Sequence, residues 1–565
     1  MAHGPGSRCS LSGLFICSDA ESAFDVVLQE LLVRRLFHTN THGHSLLYLN
    51  NRLGSRKTII DWDGQLMGPV HDERGLEQGG VSSSDFYKIF GKEQLTLAQS
   101  SKLGVHFENS IISAVGQADD TVLVSNSLHH LQYLLLLSEA FCSRNQVRLS
   151  ATKTKLQVFY TKCMASEVRY AMITNPIKLD NVNIQFTVTA EHVGILRSTA
   201  GNATTIFTRI TEHNKAMRAV MHTGMARSHR GNPAASLVVS NLYGLPVLLS
   251  GLAPLVMTKS EESIIEQHHK ENISNLQRLL PCTPTPVVCF LAGSLPGSAH
   301  LHLRKLTIFG MICRLLGNSL HDYAVSLFQA GKPPTKSWFH QILELCEKYC
   351  LPSPMQLLES PLPKIQFKKL VKGKVVNFWE NYLRAQAAPL TSLLYFKPLY
   401  MSLTTTHPIW SSAGSSPAKV TMASVQARML SGRYRTEALC SNWKINCTGL
   451  CLLSQSCSSS VEDLEHILSH CTALDPTRTK LMDFTLHYCR DVPDLSNLIL
   501  SFLNVTNKHF CQFLLDCSTL PEVVNAAQLL GANYVHQHLF NITRTWIYSL
   551  HKERLKLLGR WNNLL

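Results

Sequence analysis

The chain has 565 residues, room for roughly three or four domains, and its 45% hydrophobic and 16% charged content excludes wholesale disorder. Lys+Arg 53 against Asp+Glu 39 leave a net charge of +14, which favours an anionic partner, nucleic acid or a membrane surface. The 17 cysteines are odd in number and scattered, and the apolar run at 14–17 is too short for a good signal peptide. Free thiols with one metal site fit this better than a disulfide scaffold, so an intracellular protein of cytoplasm and nucleus, not a secreted one, is expected.

In chain order, "SGLFICSDAESAFDVVLQELLVRRLF" predicts a buried strand, a turn and an amphipathic helix with Val26, Val27, Leu31, Leu32 and Leu36 on one side. "RKTIIDWDGQLMGPVHDERGLEQGG" predicts a hairpin turning at Asp63-Gly64. Ser82, Ser83, Ser84 and Asp85 offer N-caps for a helix through "DFYKIFGKEQLTLAQ". "SIISAVGQADDTVLVSNS" has two apolar arms around an acidic pair, a second hairpin pattern. An amphipathic helix in "SLHHLQYLLLLSEAFCSRNQV" and a strand in "RLSATKTKLQVFYT" follow, then short strands at 184–188 and 192–196. Beyond them the pattern turns helical to the end, with proline-rich candidate linkers at 281–286, 332–334 and 352–363.

Residues 235–257 contain no charge and are long enough to span a bilayer. They also carry Asn241, Pro246 and Pro254, and a proline splits such a run into short buried helices. The membrane span remains an alternative here.

Alone, "ADD" reads as a polar hairpin tip; its ordered companions change that. Asp19 ends the apolar strand "LFICS", and a carboxylate there is placed to enter a cleft, with Asp25 on the helix that follows. The order of motifs resembles the palm of reverse transcriptases, specifically the non-LTR (LINE-type) retrotransposon family. "DAESAFDVV" is similar to the first palm motif, D-x-x-x-A-F-D-x-V, and "GLEQGGVSSSDFY" to G-x-x-Q-G-G-x-x-S. "QADD" is similar to the aromatic-A-D-D box, "LSATKTKLQVF" to L-N-x-x-K-T-x-x-x-x-F, and "EHVGILRS" to the L-G motif of the primer grip. "GNPAASLVV…YGLPVLLSGL" resembles, more loosely, a helical region after the thumb in one metazoan clade.

The resemblance implies an α+β fold. A partial palm would occupy 1–165, the palm end, primer grip and thumb 166–230, and a helical region 231–440. A zinc-knuckle-like module would follow at 441–480 and a helical segment at 481–565. It also implies RNA-directed DNA synthesis from an RNA template, dNTP and a target DNA primer.

Nucleotidyl transfer needs two hard cations about 3.5–4 Å apart, and Mg²⁺ prefers carboxylate oxygens. Asp19 and Asp119 would be the shared ligands and Asp120 would support one ion, which resolves the charge repulsion of the pair. Lys153 would neutralise or protonate the leaving pyrophosphate; a solvated turn lysine is the duller reading. Gln78, Gly79 and Gly80 would let backbone approach the template–nucleotide pair, and would otherwise be a turn that starts a helix. Phe24 would pack beside the incoming sugar, or is an ordinary core residue. Asp25 serves equally as a helix cap.

Three features depart from the family pattern. Gln117 replaces the aromatic before A-D-D, and Glu77 stands where a basic residue is common. Only 18 residues precede Asp19, where the family places a basic fingers subdomain. The chain is therefore expected to be the C-terminal part of a longer element protein, without fingers or endonuclease and with impaired activity. A catalytically inactive nucleic-acid-binding remnant, or one with a host interaction role, is the alternative.

"GLCLLSQSCSSSVEDLEHILSHC" offers three thiolates and an imidazole, Cys451, Cys457, His466 and Cys471, that match a tetrahedral structural zinc site. The first loop is longer than the usual C-x2-C, Cys447 and His470 compete as ligands, and free buried cysteines are the duller reading. Many non-LTR elements carry a similar C-terminal knuckle, which would touch RNA or target DNA. The final helix, "TRTWIYSLHKERLKLLGRW", alternates basic and apolar residues. Trp546 and Trp561 would either stack on nucleic acid or dock the helix on the body with its basic face solvated.

Overall fold

The computed structural model describes residues 13–54, 56–107, 110–159, 173–222, 231–331, 333–443, 447–505 and 507–559. Lys332, Trp561 and the expected 165/166 and 230/231 boundaries fall wholly or partly outside them. The chain separates into two compact units, one of residues 1–205 with 317–326, the other of 206–316 with 327–565.

The first unit is built on a five-stranded sheet. Its strands are β1 (Gly13–Ser18), β6 (Ala114–Gln117), β7 (Asp120–Ser125), β8 (Lys155–Phe159) and β11 (Gln185–Phe186), in the order β11-β8-β1-β7-β6. β1 lies at the centre, antiparallel to β7 from Leu14↔Ser125 to Ser18↔Thr121, and to β8 from Gly13↔Phe159 to Cys17↔Lys155. β11 runs parallel to β8. The period-2 alternation of β1 sends Leu14, Ile16 and Ser18 inward and leaves Phe15 and Cys17 half-buried.

The helices α1 (Gln29–His38), α2 (Gly43–Gly54), α3 (Ser83–Ser100) and α4 (Leu128–Arg144) complete the unit. Leu32, Phe90, Leu131 and Leu135 join Ile16, Leu123 and Val158 in one core. Each fully buried side chain of this size contributes about 1.5–3 kcal/mol.

Several expectations shift by a few residues for identifiable reasons. The helix expected from Val26 starts at Gln29. Leu76 N–H donates to Phe24 O at 2.7 Å and Gly75 N–H to Val27 O at 2.8 Å, which pins a turn at 21–25 and leaves Leu28 as the extended N-cap. Gly75 is required there: φ is +89°, and a Cβ would lie 3.0 Å from the Asp25 carbonyl. The hairpin at Asp63-Gly64 forms as β2 (Lys57–Trp62) and β3 (Gln65–His71). None of the expected caps closes α3 with a side chain at its N-cap, Ser82. Ser83 Oγ donates instead to Glu77 O at 2.6 Å, tying the glycine turn to the helix.

Short hairpins β4 (Val105–Phe107) with β5 (Ser110–Ile112), and β9 (Lys178–Leu179) with β10 (Val182–Asn183), edge the unit. The strand expected at 184–188 shortens to β11. The strand expected at 192–196 does not form as one piece. It divides into β12 (Thr189–His192) and β13 (Ile195–Ser198), an antiparallel pair with His192↔Ile195 closing a two-residue turn. Val193 and Gly194 take φ +54° and +66°, the left-handed conformation that such hairpin turns demand.

The second unit is helical. Residues 235–257 give the helix Pro233–Val239, a wider π-turn at Ser240–Gly244 and the helix Leu245–Leu248. The break falls after Leu248, because the wide turn carries the chain to Pro246, which sits in the first turn of the last piece. Among the described residues no helix is long and apolar enough to cross a membrane, which removes the membrane-span alternative for this segment. The proline-rich 281–286 and 352–363 lie within this unit and start helices, with Pro286, Pro354 and Pro363 at or just before the first turns. In the last helix, Ala532–Leu557, Trp546 is buried and donates to Thr485 Oγ1 at 2.9 Å, so it does not stack on nucleic acid.

Candidate active site and metal centre

Asp19 leaves β1 one residue past the Ser18↔Thr121 pair. Its carbonyl accepts from Ser150 N–H at 2.9 Å, so the strand end is pinned by the chain leading into β8. That chain carries Lys153, whose Nζ lies 3.5 Å from Asp19 Oδ1, the two side chains being 65% and 41% exposed. A pair this exposed is worth under about 1 kcal/mol, so Lys153 is free to leave Asp19.

Asp119 and Asp120 form the tip of the β6/β7 hairpin. Gln117 pairs with Asp120, leaving Ala118 and Asp119 as the turn. Ala118 takes φ +55°, a conformation that costs a non-glycine residue roughly 1–2 kcal/mol. Burial pushes the Asp119 carboxyl above the ordinary carboxylate range. The Asp120 and Asp19 charges add to this, against its own backbone hydrogen bond and the Lys153 charge. Asp120 Oδ2 accepts from Val193 N–H at 3.3 Å, so the β12/β13 turn meets the acidic tip.

Asp19, Asp119, Asp120 and Lys153 thus share one end of the sheet. Gln78 Nε2 donates to Asp25 Oδ1 at 3.1 Å. Gly79, at φ +83°, has open space where a side chain would stand, whereas a Cβ on Gly80 would meet Ser83 Oγ at 2.7 Å. Phe24 is half-buried with its ring 5.1 Å from that of Tyr87, so it is at least a core residue. A cavity of about 560 Å³ opens beside Gln78 and is also lined by Asp25, Arg52, Arg56, Lys57 and Phe86. Its lining includes none of Asp19, Asp119, Asp120 and Lys153.

A central strand flanked by two antiparallel neighbours, with carboxylates at its end and on the adjoining hairpin, is a palm-like arrangement. Residues 8–184, which include Asp19 through Lys153, match the model of the reverse transcriptase (RNA-dependent DNA polymerase) family. No curated protein matches the chain.

A different centre lies in the second unit. Cys451, Cys457, His466 and Cys471 are all buried, and one ligand atom from each falls within 4.8 Å of every other. The Sγ separations are 3.4 Å for 451–457, 3.8 Å for 451–471 and 3.9 Å for 457–471. A zinc tetrahedron with Zn–S near 2.3 Å has S···S edges of about 3.8 Å, so the cage fits. His466 Nε2 is buried without a hydrogen-bond partner, as expected of an atom aimed at an ion. Burial leads in raising the thiols of Cys451 and of Cys471, the latter to about 12. Burial also opposes ionisation of Cys457, but hydrogen bonds from Cys451, Thr472 and Cys471 bring it below its ordinary value.

The competing ligands fall away: Cys447 Sγ donates to Glu437 O at 3.5 Å, and His470 Nε2 lies 3.7 Å from Glu465 Oε1. The cage is closed by Cys451 N–H donating to Ser460 O at 2.9 Å and Cys471 N–H to His466 O at 2.8 Å. Next to it Glu462, fully buried, takes Arg554 in a two-pronged pair at 2.9 and 2.7 Å. Neither the Val193 contact nor the Glu462–Arg554 pair is visible in the sequence, since each joins distant segments without a motif.

Proposed function

We propose that the chain is an RNA-directed DNA polymerase of the non-LTR retrotransposon type, extending a target DNA primer on an RNA template with dNTP. The observation that carries this reading is the gathering of Asp19, Asp119 and Asp120 at one end of the palm-like sheet, inside the matched domain. The half-buried, mutually repelling carboxylates suit hard divalent cations, and Mg²⁺ bound there would activate the primer hydroxyl and hold the triphosphate. Asp19 and Asp119 would hold both ions and Asp120 one of them. The Val193 N–H bond leaves Asp120 its other oxygen for this.

Lys153 rests on Asp19. A cation taking up the Asp19 charge would free its ammonium to meet the leaving pyrophosphate. The open Gly79 backbone, with Gln78 and Gly80, would receive the template–nucleotide pair, and Phe24 would support the incoming sugar. The Cys451, Cys457, His466, Cys471 cage would hold one structural Zn²⁺.

The test is extension of a DNA primer on a homopolymer RNA with Mg²⁺. Incorporation by the chain and none by its Asp119→Asn, Asp120→Asn variant is expected. No incorporation by the unaltered chain would overturn the polymerase reading and leave a nucleic-acid-binding protein.

A further inference from the structure

The helix Lys364–Ala387 buries Phe367, Val371, Val375 and Leu383 and turns its other faces to solvent. Lys364, Lys368, Lys369, Lys372 and Lys374 are exposed, and among the described residues none of the five forms an ion pair. Five like charges within 11 residues repel one another, which a helix tolerates on a solvated face but does not require.

The surface here is a shallow, open depression. Lys369, Lys372, Gly373, Val376, Asn377 and Thr404 border a groove of about 360 Å³. The one acid in it, Glu380, is already satisfied. Its Oε1 accepts from Ser402 Oγ at 3.0 Å and Leu403 N–H at 3.1 Å, and its Oε2 from Arg384 at 3.3 Å. Lys369 and Lys372 therefore bring two uncompensated ammonium groups to a depression whose lining is otherwise largely apolar. Gly373, an unfavoured residue inside a helix, leaves open space where a side chain would block the floor. Lys364, Lys368 and Lys372 recur every fourth residue, a rise of about 6 Å per step, so the three ammonium groups line one side of the helix.

We infer that this lysine-lined groove binds the phosphodiester backbone of a nucleic acid, giving the helical unit its own grip on the template. The choice of nucleic acid rests on the polymerase reading; the anionic character of the ligand rests on the groove alone. Contacts of this kind carry no base preference and weaken steeply with salt.

The full chain and its Lys368→Gln, Lys369→Gln, Lys372→Gln variant would be titrated against a labelled 30-nucleotide RNA, and a DNA of the same sequence, over a salt series. The expected result is a roughly tenfold loss of affinity and a fall of about 2 in the slope of log K against log salt, from three contacts on a single strand. The melting temperature should be unchanged. Equal losses on RNA and DNA support backbone recognition, and a loss on RNA alone supports it with a 2′-hydroxyl contact. Unchanged affinity and slope on RNA and DNA overturn it, as does a loss seen only in a parallel titration against anionic phosphatidylserine vesicles. Binding needs no turnover, so a chain that binds RNA through these lysines without extending a primer would sink the polymerase reading and leave the groove standing.

Discussion

In the second unit, three thiols and an imidazole stand within 4.8 Å of one another, buried and closed by backbone hydrogen bonds. In the first unit, three aspartates stand half-exposed at a sheet end, two of them turned to other partners, Asp19 to Lys153 and Asp120 to Val193. The thiol and imidazole cage would give its whole ligand set to one ion. The acidic end leaves oxygens open, as a centre must if substrate oxygens are to share its cations. Soft, enclosed donors suit Zn²⁺, and hard, hydrated carboxylates suit Mg²⁺.

Breaking each centre should give opposite phenotypes. Cys471→Ala removes a ligand from the proposed zinc cage, where metal binding would be folding free energy, so a loss of about 5 kcal/mol or more is expected. Elemental analysis should fall from one zinc per chain to none, and the melting transition of the unaltered chain should drop on adding a chelator. Asp119→Asn with Asp120→Asn should lower primer extension at least about 10³-fold, roughly 4 kcal/mol of barrier, while the circular dichroism spectrum stays the same.

Glu462→Ala strands Arg554 without its partner in the interior and should cost about 3–5 kcal/mol in a denaturant titration. A loss below about 1 kcal/mol would mean that the brace beside the cage is dispensable.

The smallest effect has the opposite sign. Asp119 has a raised pKa, so the folded chain holds its proton more tightly than the unfolded chain does. Its contribution to stability is complete below the ordinary carboxylate range and is lost as pH rises through the raised value. At neutral pH and without divalent cations, Asp119→Asn should therefore raise the melting temperature by about 1–2 °C. The unaltered chain should gain on adding Mg²⁺ and the variant should not. A variant that melts lower in both conditions would contradict the repulsion described for this tip.

Much of the first unit was legible because its signals are local. The β6/β7 hairpin announces itself through two apolar arms around a polar turn, and α4 through its periodicity. The turn at Val193-Gly194 was hidden because a β-branched residue at positive φ runs against its own preference. The start of α1 was hidden because hydrogen bonds from Gly75 and Leu76, nearly fifty residues on, override the local helical pattern. At the candidate metal centre the spacing named the four residues that the fold brings together, but only the fold could set Cys447 and His470 apart. Trp546 was ambiguous for a similar reason: an alternating basic and apolar helix looks the same whether its tryptophan faces a base or Thr485. The Lys364–Ala387 groove drew no notice in the sequence, because a lysine run reads as a solvated face until its concavity is seen.

The Glu462–Arg554 pair has a consequence for how the chain tolerates shortening. Arg554 belongs to the last described helix and Glu462 to the loop that carries the cysteines. Loss of this helix would remove the guanidinium and leave a carboxylate with nothing to neutralise it beside the thiols. The integrity of the cysteine-bearing loop is thus tied to a helix 92 positions further along the chain.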